Sequence, residues 1–388
     1  MKTTQLSDRV SSWLILPNAA LHGKILEMQN AGEEIIDLII GISNLPIPDA
    51  GKKAAIAAIT ENNTPYTAVS GDSELKRAIQ QKLKKQNNRK SELENIIVTT
   101  GAKQAIFQAL YVLTNPGDKV AIIKPYWPAF TQIMKMLKIE PLPIDIDDVA
   151  SIEKIIVDAK TKVLLFDSPH NPSGKVFTRQ ELLAILSFAK KNNLFIIADE
   201  SYEKLVYEGE QISLATLDKS MQDNMLTIFS VSQSYSMMGW RLGYAVGNEK
   251  IISAMEAVQS AITAATPYIS QAAVTAILNT NDTYVKNLVD EFKHRRDSVY
   301  KQLKKIDWID LELPASGPYF WCNIKKLTPN SMEFSQKLLE EQKVAVMPGD
   351  PFGTPGWIRI AFNSQPISVL EDVVRRVAHF GKTYEKKK

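Results

Sequence analysis

Between residues 95 and 250 the chain alternates six short apolar runs with amphipathic stretches, a rhythm that few architectures accept. The runs cover residues 96–99, 119–123, 162–166, 194–198, 226–229 and 243–246. Most are rich in Val and Ile and lack the polar alternation of a strand with one wet face, so they read as strands buried on both faces. The segments between them, such as 103–113 and 179–192, have helical spacing, and Asn115-Pro-Gly-Asp118 is a strong stop and turn. Strand–helix alternation of this kind predicts a mostly parallel α/β sheet with helices on both faces. The last hundred residues differ: charged amphipathic helices around 281–305 and 331–342 are separated by strand-like pieces at 319–324 and 357–362. They predict a smaller α+β domain.

With 388 residues, 45% of them hydrophobic and 23% charged, the chain can bury a large core. The net charge of +3 is small and its basic residues are dispersed, apart from a terminal Glu385-Lys-Lys-Lys388 that reads as a solvated end. Nucleic acid is therefore not an expected partner. Cys322 is the only cysteine, which excludes an intramolecular disulfide and any multi-cysteine metal site; its neighbours Tyr319-Phe-Trp321 and Asn323 predict a buried thiol. His22, His170, His294 and His379 show no ligand spacing, and no metal is expected. Residues 1–9 lack the apolar core of a signal peptide, and no uncharged run is long enough to span a bilayer. A cytoplasmic protein without a membrane partner is expected.

In open α/β sheets ligands sit beyond the carboxyl ends of the strands, so the polar residues that follow each run are the informative ones. Gly101-Ala-Lys-Gln104 follows the first run and opens a helix, where free amides and the helix dipole favour an anion. Alone, it is equally an ordinary strand–helix turn. Pro125-Tyr-Trp-Pro128 follows the second run, and Trp127 taken singly is better read as a core tryptophan. Ser168-Pro-His-Asn-Pro-Ser-Gly174 is an Asn-Pro turn, a common enough object. Asp199-Glu-Ser-Tyr202 closes the fourth run and could merely cap a helix. Ser230-Val-Ser-Gln-Ser-Tyr-Ser-Met-Met-Gly-Trp-Arg-Leu-Gly-Tyr244 links the last two runs.

Together, in this order and spacing, the segments resemble pyridoxal-phosphate (PLP)-dependent fold-type I aminotransferases of class I/II, the aspartate/aromatic kind. The resemblance covers roughly residues 40 to 362. It implies a seven-stranded, mostly parallel sheet and a division into an arm with part of the small domain (1–50), a large PLP-binding domain (51–280) and a small C-terminal domain (281–388). It implies that Gly101, Ala102 and Lys103, with Ser230, Ser232 and Arg241, surround the cofactor phosphate, and that Trp127 stacks on the ring. Asn171 and Tyr202 would reach the phenolate oxygen, and Asp199 would keep the ring nitrogen protonated so that the ring accepts electrons. Arg359, in Trp357-Ile-Arg-Ile-Ala361, would clamp the substrate carboxylate, although alone it reads as a surface arginine on an edge strand. Tyr66, in Pro65-Tyr-Thr-Ala-Val-Ser-Gly71, would serve the phosphate of a neighbouring subunit, implying a homodimer with shared sites.

Two departures stand out. Gly41-Ile-Ser-Asn44 replaces a Gly-Glu-Pro-Asp loop, which leaves Gly41 as a backbone contact for the substrate carboxylate and puts the usual substrate range in doubt. Gln233 occupies the position of the Schiff-base lysine. An amide is neither a nucleophile nor a base, so the chain as written is expected to hold PLP, its amine form or an external aldimine without a bond at 233, and to transaminate an α-amino acid very poorly. Two origins are open: a lysine replaced by glutamine, or a natural protein whose chemistry dispenses with the lysine, with Tyr202 or a water as proton carrier. Decay is disfavoured, because Asp199, Arg241 and Asn171 are costly to keep in an unused cavity. A non-catalytic PLP-binding protein is a third reading; regulators of this superfamily carry an added DNA-binding domain, and here aminotransferase-like sequence begins almost at once.

Overall fold

A computed structural model of the chain describes residues 17–280 and 283–386. Helix α1 (Pro17–Asn30) and the short strand β1 (Ile36–Asp37) lead into α2 (Asp49–Thr60) and α3 (Ser73–Gln86). The large sheet is then built from β2 (Ile96–Thr99), β3 (Lys119–Lys124), β4 (Glu140–Asp145), β5 (Thr161–Asp167), β6 (Phe195–Asp199), β7 (Met225–Ser230) and β8 (Gly243–Val246). Its crossovers include α4 (Ala102–Leu113), α5 (Pro128–Leu137) and α6 (Arg179–Lys191), and α7 (Glu249–Ile262) and α8 (Tyr268–Leu278) follow it. The seven strands lie in the order β2-β8-β7-β6-β5-β3-β4. All neighbours run parallel except β8, which is antiparallel to both β2 and β7. Residues of β2, β5, β7 and β8 are almost all buried, as strands covered on both faces require.

Six of these strands coincide with the apolar runs; β4 does not, since its sequence Glu-Pro-Leu-Pro-Ile-Asp carries two prolines. Proline cannot donate to a ladder and is tolerated at a sheet edge, which is where β4 lies. Two apolar layers flank the sheet. One joins Leu164, Phe166 and Ile196 to Leu182, Ile185 and Phe188 of α6; the other joins Val163, Leu165, Ile197 and Ile228 to Ile106 and Leu110 of α4.

The smaller unit contains α9 (Thr283–Leu303), β9 (Tyr319–Asn323), α10 (Ser331–Gln342), β10 (Val344–Ala345), β11 (Met347–Pro348), β12 (Trp357–Ala361) and α11 (Ile367–Lys386). Its antiparallel sheet has the order β11-β12-β9, so β12 is the central strand, and β10 pairs in parallel with β1 from the other end of the chain. Cys322 on β9 is fully buried, and burial pushes its thiol up. Among the described residues, no helix is long and apolar enough to cross a membrane.

Candidate active site

A cavity of about 550 Å³ opens where the carboxyl ends of the large-sheet strands face β12, β9 and α1. Its wall brings together Ala102, Lys103, Trp127, Asn171, Asp199, Tyr202, Ser230, Ser232, Gln233, Arg241 and Arg359, residues scattered over more than 250 positions of sequence.

At one end the start of α4 meets the β7–β8 connection. Gly101 precedes the helix with φ +83° and offers no capping side chain. A Cβ there would lie 2.6 Å from a guanidinium nitrogen of Arg241, so only glycine lets the helix end and the arginine approach. Gly243 of β8 plays the reciprocal part, since a Cβ on it would sit 2.6 Å from the Ala102 amide nitrogen. Arg241 has φ +53°, a left-handed conformation costly for any residue but glycine and held here by its Nη1 donating to the Met238 carbonyl at 2.7 Å. Ser230 Oγ accepts from the Ser232 amide at 3.1 Å. Lys103 Nζ lies 5.1 Å from the centre of the Trp127 ring, and burial, then the charge of Arg241, lowers its pKa. Free helix amides, two cations and two hydroxyls meet at this end, and among the described residues no carboxylate lines it.

The floor is acidic. Asp199 ends β6 and is buried; its Oδ1 accepts from the Ser201 amide and hydroxyl. Burial raises it to about 6, with the Ser201 donors restraining the rise. Asn171 donates its backbone amide to Asp167 Oδ2 at 2.6 Å, and its side-chain Oδ1 accepts from Arg359 Nη1 at 2.9 Å, which leaves the Nδ2 donors for a ligand. Arg359 is 5% exposed on the central strand of its sheet, so the reading as an edge-strand surface arginine does not hold. Its guanidinium stacks 3.9 Å from the Tyr319 ring centre, Nη2 donates to the Ile39 carbonyl at 2.6 Å, and Nε has no partner among the described residues. Tyr202 and Tyr319 share a hydroxyl contact at 3.2 Å, and Tyr319 donates to the Ile40 carbonyl at 3.1 Å. Burial and the neighbouring Tyr319 push the Tyr202 hydroxyl well above its ordinary value, which makes it a poor proton carrier near neutrality.

Gln233 is half-buried on the cavity wall. Its Nε2 donates to the Gly41 carbonyl at 3.4 Å, and its Oε1 accepts from Asn363 Nδ2 at 3.4 Å; Asn363 also donates to the Gly41 carbonyl at 2.8 Å. Gly41, at φ +73°, thus faces position 233 through its carbonyl, an acceptor that suits amides and cations rather than a carboxylate. Gly41 and Gly101 adjoin the lining without forming part of it, and Tyr66 stands apart, 92% exposed and absent from the cavity. Sequence reasoning missed Asp167, Tyr319 and Asn363. Asp167 and Tyr319 line the cavity from the ends of β5 and β9, and Asn363, just beyond β12, reaches Gln233; pairing between distant strands, not a local motif, brings these segments together.

A cation-rich end with open amides and a buried carboxylate at the floor fit an elongated ligand that is anionic at one end and carries a protonatable nitrogen at the other. The phosphate and pyridine nitrogen of PLP meet that description.

The chain belongs to the aminotransferase class I and II family, whose model matches residues 33–377. It is 33% identical over 392 residues to the aspartate aminotransferase of Rhizobium meliloti strain 1021, covering 96% of this chain and 95% of that protein. It is 31% identical to the aspartate aminotransferase of Bacillus subtilis, over 97% and 98% of the two chains. A crystal structure of the Rhizobium meliloti aspartate aminotransferase superposes with a TM-score of 0.92 at 31% identity, over 98% of this chain and 99% of the other.

Proposed function

We propose that this chain binds PLP, or its amine form, without a covalent bond at position 233 and transaminates an α-amino acid/2-oxo acid pair only slowly. The observation that carries the reading is a carboxamide, Gln233, on the wall of a cavity whose other lining residues suit the cofactor. When bound, PLP supplies an electron-withdrawing ring and a carbon that exchanges the amino group. In this reading the start of α4, Lys103, Ser230, Ser232 and Arg241 hold the phosphate, and Trp127 covers one ring face. Asn171 and Tyr202 donate to the ring oxygen, and Asp199 holds a proton at the ring nitrogen. Arg359 grips the substrate carboxylate with its paired donors. Gln233 orients by hydrogen bonding but takes up no proton, so the substrate α-carbon lacks a side-chain base there, a loss of about 10²- to 10⁴-fold.

The two halves of the Gln233 amide meet the Gly41 carbonyl and the Asn363 amide through contacts of 3.4 Å, while the Gly41 carbonyl and Asn363 Oδ1, unpaired among the described residues, are acceptors that equally suit the donors of a lysine.

The reading extends to a cytoplasmic homodimer. Tyr66 cannot serve the cavity of its own chain, and Ile56 and Ile59 of α2 are more than half exposed, as expected of a surface that a second subunit covers. The domain division at residues 50 and 280 belongs to the same reading; of its first part, residues 1–16 lie outside the described residues.

The test is Gln233→Lys assayed with a panel of amino donors. Turnover rising at least 100-fold over wild type with one or more donors is expected; no 2-oxo acid and no cofactor absorbance change with any donor contradicts the proposal.

A further inference from the structure

Two carboxyls, not one, line the floor of the cavity. Asp167 ends β5 and Asp199 ends β6, and the parallel register makes them Cα partners. Their side chains therefore leave the sheet on the same face, with backbones about 4.8 Å apart. Asp167 is 4% exposed and Asp199 5%. Asp167 Oδ2 accepts from the Asn171 amide, while its Oδ1 has no hydrogen-bond partner among the described residues.

No cation pairs with either carboxyl among the described residues. His170, in the loop after β5, brings Nε2 to 3.8 Å from Asp167 Oδ1, but burial pushes its imidazole down to about 3 and it stays neutral. Arg359 of β12 directs Nη1 to Asn171 and Nη2 to the Ile39 carbonyl, and pairs with neither carboxyl. Lys124, at the end of the adjacent β3, pairs with Asp145 at 2.9 Å. Lys103 and Arg241 line the opposite end of the cavity, and Tyr202, beyond β6, keeps its proton. Two like charges on neighbouring strands, buried and without a counter-ion, do not persist together.

We propose that Asp167 is a positioning residue that remains protonated beside an ionised Asp199, so that the floor presents one negative charge, on Asp199, to the cofactor ring nitrogen. The inference deepens the cofactor reading and rests on it for its functional meaning; the protonation of Asp167 stands apart from it. The partners set the order. Asp199 has an amide and a hydroxyl donor on one oxygen, whereas Asp167 meets backbone amides alone and keeps Oδ1 without a partner among the described residues, so the proton settles where the ionised form is less supported. Burial, with the charge of Asp199 adding to it, drives Asp167 well above the usual carboxylate range, against the pull of the Asn171 amide. A proton on Oδ1 leaves Oδ2 free to accept from Asn171, so the neutral acid still holds the turn that meets Arg359.

The test is infrared difference spectroscopy of the purified full chain at pH 7.5, wild type against Asp167→Asn, with and without PLP. Loss of a protonated-carboxyl stretch in the variant is expected. Loss of an ionised-carboxylate stretch instead would overturn the proposal. A second readout is the pH midpoint of bound-PLP absorbance: replacing a neutral acid by a neutral amide leaves it within 0.3 of a pH unit, whereas removing a real negative charge lowers it by about one unit, tenfold in proton affinity. Should Asp167→Asn not fold, protein labelled with ¹³C at its Asp carboxyls is titrated as wild type and as Asp199→Asn. The Asp167 midpoint is expected to fall when its charged neighbour is removed; an unmoved midpoint contradicts the pairing. Failure to bind PLP at all would count against the cofactor reading and leave the infrared result standing.

Discussion

At the scale of single residues, the site turns on one functional group. In the proposed reading Gln233 supplies a polar side chain without basicity, on a cavity wall that it shares with Asp199, Asn171, Arg241 and Arg359. Arg359 illustrates the cost: a buried guanidinium with an unpartnered Nε is a group waiting for an acceptor. Arg359→Ala is expected to weaken binding of 2-oxo acids by roughly 3–5 kcal/mol, the loss typical of breaking a buried charge pair; calorimetry with a panel of 2-oxo acids measures it, and unchanged affinity removes Arg359 from the carboxylate site. Residues that a local motif places in the cavity lining were legible in the sequence, such as Asp199 after its strand or Arg241 eight places beyond residue 233. Asp167, Tyr319 and Asn363 were not. Asp167 matters because of its register with Asp199, and Tyr319 because β9 brings its ring under Arg359; neither relation exists along the chain.

At the scale of elements, hydrophobic periodicity located the strands buried on both faces and failed at the edge. β4 alternates proline with other residues and has one exposed margin, so nothing in its pattern resembles a core strand. The direction of β8 was also invisible, since an apolar run carries no sign. One polar network behind the sheet binds α3 to the ends of β6 and β7. Lys82 pairs with Glu203, Arg89 donates to Thr227 at 2.8 Å, and Glu200 accepts from Ser213 at 2.7 Å. Burial, reinforced by the charge of Glu203, raises Glu200 to about 8, while Ser213, Lys82 and Arg89 oppose the shift. The folded state then binds more protons than the unfolded one between the ordinary Glu value and 8, so this group's contribution to stability falls as pH rises through that window. Glu200→Gln is expected to remove up to about 1.4 kcal/mol per pH unit from the slope, read from urea midpoints between pH 5 and 8. Identical slopes for wild type and variant would place Glu200 near its ordinary value.

At the scale of the whole molecule, Tyr66 is exposed and absent from the lining of its own cavity, and Ile56 and Ile59 are exposed too. Sedimentation is expected to find twice the 43.4 kDa chain mass, and Tyr66→Phe to weaken PLP binding without changing that mass. A monomer that binds PLP as tightly as the variant would contradict the shared site. The central claim, a cofactor pocket without its covalent anchor, is read most directly from the intact mass of the chain after saturation with PLP, borohydride reduction and denaturation. Unchanged mass for the wild type and one added phosphopyridoxyl group for Gln233→Lys is the expected result. A stoichiometric phosphopyridoxyl adduct on the wild-type chain would contradict it.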